Sequence, residues 1–171
     1  MEFKDLIKAR RSVRHFNNEK VSDEEVLQII EAGRICQSAR NRQPWYIKVL
    51  RGDEKNKIAD LMDKKNDSSI SFNANMVREC NVLLLVLTDN EYKDSVSDLV
   101  SLGAMIEHLC LASFDIGIGC LWNRIICQCD QEIVEYLHLE SKYLVSGVLL
   151  GHYDGELKVR PRKSLEEIIL K

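Results

Sequence analysis

The sequence predicts an α+β fold in which helices cover a central sheet, and three observations point to it. Residues 81–89, NVLLLVLTD, are a continuous apolar run of strand length, the pattern of a strand buried on both faces. Two helices announce themselves by S-x-x-E capping boxes, Ser22 with Glu25 and Ser164 with Glu167. Helical and strand-like segments follow one another without the strict alternation of a doubly wound sheet.

The N-terminal segment FKDLIKARRSVRHF begins as a helix over about residues 2–11, because Phe3, Leu6 and Ile7 have the i, i+3, i+4 spacing of a buried stripe. Arg10 is the next position on that stripe, so a guanidinium is expected to aim inward, where an unpaired charge costs several kcal/mol and demands an anion. The Ser22 box opens a helix through DEEVLQIIEAGRIC, and WYIKVL at 45–50 alternates as a strand. A polar helix is expected around 53–65, followed by FNANM at 72–76, where Asn73 reads as a turn residue or an amide ligand. After the 81–89 strand comes a long apolar helix over 95–116, stopped at the glycines of GIG. A strand at 120–125, a helix near 130–138, a strand over 144–154 and a short terminal helix complete the chain.

Composition narrows the function classes. The 171 residues suit one domain of ordinary size, and no repeat or Pro/Gly-rich linker divides 1–171. Lys and Arg minus Asp and Glu is 24 − 27 = −3, which opposes a general nucleic-acid binder despite the basic KARRSVR. Glu107, His108 and Asp115 interrupt the most apolar stretch, so no membrane span is expected, and the N-terminus lacks the pattern of a signal peptide. Six cysteines without a C-x-x-C pair read as reduced core thiols of a cytoplasmic protein, and their spacing offers no metal site.

Four polar clusters stand out. RRSVR at 10–14 carries three arginines and a hydroxyl. One arginine there suits a helix C-terminus, worth about 0.3–1 kcal/mol, but three with Ser12 suit a phosphate. QSARNRQPW at 37–45 is either a proline-closed connection or a donor-rich loop able to contact a heteroaromatic ring. Asn73 is the third. In KVRPRKSLEEI, Arg160 and Arg162 lie two apart in an extended stretch, share a face, and can close on the same anion as Arg10. A solvated basic tail is the plainer reading.

In this order RRSVRHF, SDEEVLQIIEAG, SARNRQPW, the GA…LASFDIGIGCLW passage, LLGHYD and RPRKSLEEII resemble the FMN-dependent nitroreductase family over nearly the whole chain. The resemblance implies an α+β nitroreductase-like fold with a mainly antiparallel central sheet, in a homodimer with FMN at the subunit interface. It also implies ping-pong transfer from NADH or NADPH to a small organic acceptor such as a nitroaromatic or quinone. By resemblance Arg10, Arg11, Ser12 and Arg14 hold the phosphate and the pyrimidine side of the flavin, and Arg160 and Arg162 complete the phosphate site. Gln37, Ser38 and Ala39 reach across from the partner subunit, Asn73 contacts the ring, and Trp122, Asn123 and Arg124 lie by its reactive edge.

Some positions depart from the family pattern. Trp122 and Ile125 replace a proline and glycine often found there, and Gln37 and Ala39 replace proline and serine. The chain also has no room for the helical lid of larger relatives. The flavin carries the redox chemistry, so no catalytic side chain is assigned. A flavin-binding protein with a flavin-consuming or sensing role is the alternative.

Overall fold

The computed structural model describes residues 1–170. Four antiparallel strands, β1 (Tyr46–Leu50), β2 (Val82–Asp89), β3 (Gly119–Asn123) and β4 (Lys142–Gly151), form one sheet in the order β1-β2-β4-β3. The apolar run of β2 lies inside the sheet, as a strand buried on both faces must. Its Leu83, Leu85 and Leu87 enter one core, while Val82, Leu84 and Val86 enter the other.

The first core is closed by α3 (Gly52–Asp63), α4 (Ser68–Glu79) and α6 (Asp130–Tyr136). The second is closed by α2 (Asp23–Arg34) and α5 (Val96–Asp115). Both capping boxes form, at Ser22 ahead of α2 and at Ser164 ahead of α7 (Leu165–Ile168). Among the described residues α5 is the one helix long and apolar enough to cross a membrane, and its Leu102, Met105, Ile106 and Leu109 pack into the second core. Its opposite side leaves Val96 and Val100 exposed.

Two expectations are corrected. Helix α1 is shorter, Phe3–Ala9, and of its stripe only Leu6 is buried. Phe3 and Ile7 stay 66% and 48% exposed because α1 meets the body of the protein mainly along α5. Residues 72–76 are not a turn but the middle of α4, which Asp67 caps by accepting the Ser69 and Ile70 N–H groups. Ile70, Ala74 and Val77 supply its buried face at i, i+4 and i+7.

Candidate functional site

The RRSVR segment leaves α1 at Arg10 and becomes extended along the open edge of β3. Ser12 bridges Cys120 in parallel, and the Val13 N–H donates to the Cys120 carbonyl at 2.8 Å. Gly119 permits this approach, since a Cβ there would sit 2.8 Å from Val13 Cγ2. With Val13 buried, alternation turns Ser12 and Arg14 outward. The segment crosses from one helical layer to the other: Arg10 Nε lies 3.3 Å from Glu107 Oε1 on α5, and His15 Nδ1 lies 3.3 Å from Glu79 Oε2 on α4.

Glu107 is therefore the anion that meets Arg10 within the chain, and both side chains keep access to water at 22% and 42% exposure. Arg11 NH1 donates to the carbonyls of Lys8 and Arg10, at 2.5 and 2.8 Å, so the helix-terminus role holds for this arginine. Its Nε is buried with no hydrogen-bond partner among the described residues.

Beside this segment the chain after β4 returns and walls a cleft of about 430 Å³. Arg10, Arg11, Arg14, Lys158, Arg160 and Arg162 line it, against only Asp154 and Glu156. The two arginine clusters thus meet although about 150 residues of chain separate them. Sequence reasoning missed Lys158, yet Lys158, Arg160 and Arg162 alternate in an extended stretch, and that spacing already marks the third cation. Such a cleft suits a phosphate, whose oxygens accept several charged hydrogen bonds and satisfy the orphaned Arg11 donor.

A second group gathers around the end of β3. Asn123, only 2% exposed, donates through Nδ2 to Asn73 Oδ1 on α4 at 3.0 Å. Trp122 is 41% exposed, and its ring passes over α5, where a Cβ at Gly103 would meet it at 3.7 Å. Arg124 is exposed just past the strand. In the parallel register set by Ser12 and Cys120, Arg14 runs level with Trp122, so this group continues the edge that holds the cleft.

Gln37, Ser38 and Ala39 do not join either group. Ser101 Oγ on α5 accepts the Ala39 N–H at 3.1 Å, and Ser38 Oγ accepts the Gln43 N–H at 2.9 Å. Arg40, Asn41 and Gln43 have positive φ, a strain of order 1–3 kcal/mol each that only a firmly held loop sustains. Arg42 supplies part of the hold through a 3.0 Å pair with the fully buried Asp98.

A model of the Nitroreductase family matches residues 7–152. A relative from Archaeoglobus fulgidus, provisionally named an NADH dehydrogenase/NAD(P)H nitroreductase, is 29% identical over 119 residues, 68% of this chain and 64% of its own. The chain thus spans less than two thirds of that relative's length. Among solved structures, a Desulfovibrio desulfuricans protein provisionally assigned as a nitroreductase and crystallised with FMN superposes with a TM-score of 0.85 at 26% identity, over 100% of this chain and 96% of the other. A BluB-like flavoprotein from Clostridium difficile 630 gives a TM-score of 0.82 at 28% identity, over 100% and 99%. With its antiparallel four-stranded sheet, its two helical layers and a family match over most of its length, the chain belongs to the Nitroreductase family.

Proposed function

We propose that the chain is one domain over residues 1–171 that binds FMN and works as an NAD(P)H-dependent oxidoreductase, reducing a small organic acceptor of nitroaromatic or quinone type by ping-pong turnover. The observation that carries this is the cationic cleft, where RRSVR and the late RPR converge and the Arg11 Nε lacks a partner. The FMN-bound relative and the NAD(P)H nitroreductase name of the other support the choice of ligand. When bound, FMN supplies the hydride chemistry.

The chain's own residues bind and orient. Arg10, Arg11, Ser12, Arg14, Arg160 and Arg162 take the phosphate and the near side of the ring, whose negative charge their field favours. Asn73, Trp122, Asn123 and Arg124 border the ring further along β3. Gln37, Ser38 and Ala39 lie away from the cleft, which suits their reaching the site of a second copy. A homodimer is further supported by the apolar groups that one chain leaves in water, Phe3, Ile7, Val96 and Val100.

A second reading, a flavin-binding protein with a flavin-consuming or sensing role, is favoured by Trp122. Its exposed ring occupies space over α5 where an acceptor would otherwise stack.

Purified protein is expected to be yellow, to release FMN on denaturation, and to bleach when NADH or NADPH is added without oxygen. Colourless protein that takes up no added FMN refutes both readings. Bound flavin that stays oxidised with both donors refutes the reductase and leaves the second reading.

A further inference from the structure

We propose that Asn123 fixes the direction of the Asn73 amide, so that Asn73 meets the flavin as a hydrogen-bond donor. This rests on the FMN reading above. A side-chain amide accepts at its oxygen and donates at its nitrogen, and a fixed neighbour decides which end points where. Here the fixed neighbour is a backbone N–H, which can only donate.

The Ile126 N–H lies 3.3 Å from the Asn123 side chain and requires its oxygen on that side. Asn123 Nδ2 is then turned to Asn73, 3.0 Å away, which must answer with Oδ1. Asn73 Nδ2 consequently faces the other way. One of its hydrogens goes to the Ser69 carbonyl at 2.8 Å, and the other has no partner among the described residues. Fully buried Ser146 donates to the Asn123 carbonyl at 3.1 Å, so the first link of the relay cannot swing into water. One backbone N–H thus dictates the polarity of two amides in series, and Asn73 has a hydrogen, not a lone pair, left to offer.

Asn123→Asp tests the relay. Its carboxylate still accepts from Ile126 but now repels Asn73 Oδ1, so the Asn73 amide turns over and presents its oxygen to the flavin. Asn73→Leu removes the donor without adding charge. For Asn73→Leu the FMN dissociation constant, read by quenching of flavin fluorescence, is expected to rise about tenfold, the worth of one hydrogen bond to a ligand. The midpoint potential of bound FMN is expected to fall, because the donor stabilises the more electron-rich reduced ring.

Asn123→Asp should change both readings at least as much, since it replaces a donor by an acceptor. The double variant should equal Asn73→Leu alone, because Asn123 acts through Asn73. Additive effects in the double variant overturn the relay, as the charge at 123 would then act on the flavin directly. Unchanged affinity and potential in Asn73→Leu overturn it too, and this half-exposed site keeps the test open should Asn123→Asp fail to fold. Wild-type protein that binds no FMN removes the flavin reading itself, whereas a flavin-loaded wild type with unaffected variants removes this proposal alone.

Discussion

Replacing Arg10 by alanine separates ligand binding from folding. The Arg10–Glu107 contact is 3.3 Å between groups 22% and 42% exposed, so water screens it and it contributes about 0–1 kcal/mol to stability. The same guanidinium lines the cleft with Arg11, Arg14, Arg160 and Arg162. A charged hydrogen bond to phosphate there is worth about 1.5–3 kcal/mol, which corresponds to a ten- to 150-fold rise in the FMN dissociation constant. Titrating FMN into flavin-free protein by fluorescence quenching gives the affinity, and thermal melting of the same samples gives the stability. Arg10→Ala should lose affinity strongly and melt within a few degrees of wild type. Glu107→Gln, which removes the competing anion, should bind FMN as tightly or more tightly. Wild-type affinity in Arg10→Ala refutes the phosphate role, and a stability loss that accounts for the weaker binding refutes the separation.

Lys55 is 4% exposed and donates to the Val77 and Arg78 carbonyls, at 2.6 and 2.7 Å, closing the last turn of α4, while burial holds its ammonium below the usual lysine range. Lys55→Met leaves those acceptors unpaired in the core and should cost about 2–4 kcal/mol in urea unfolding; a loss below 1 kcal/mol would show that water or a shift of α4 satisfies them. The hydrogen bond from Arg78 holds the Asp63 carboxyl below its ordinary 3.8, so this pair stabilises the fold fully above that pH, and the contribution is lost as pH falls through the depressed folded value. Acid unfolding of Arg78→Ala should therefore begin at higher pH than that of wild type, and coincident acid transitions would discount the pair.

The sequence by itself determined what rests on neighbours in the chain. The two capping boxes form because their partners are three residues apart, and β2 lies inside the sheet because nothing in residues 82–88 tolerates water. The pairing of Arg10 with the late arginines was legible from their spacing and the need for an anion. Helix α4 was also within reach, through Asp67 and the spacing of Ile70, Ala74 and Val77, but its asparagines read more readily as turn residues.

Only the tertiary structure decided which partner each polar group meets. Glu107 reaches Arg10, Asn123 reaches Asn73, and Asp98 reaches Arg42 across large sequence separations, and each choice depends on which helix the sheet places opposite. The exposed Phe3 and Ile7 make the same point, since periodicity shows that a face is apolar but not what covers it. Hydrophobic patterning acts residue by residue, whereas a hydrogen bond between distant residues exists only once the packing that brings them within 3 Å is complete.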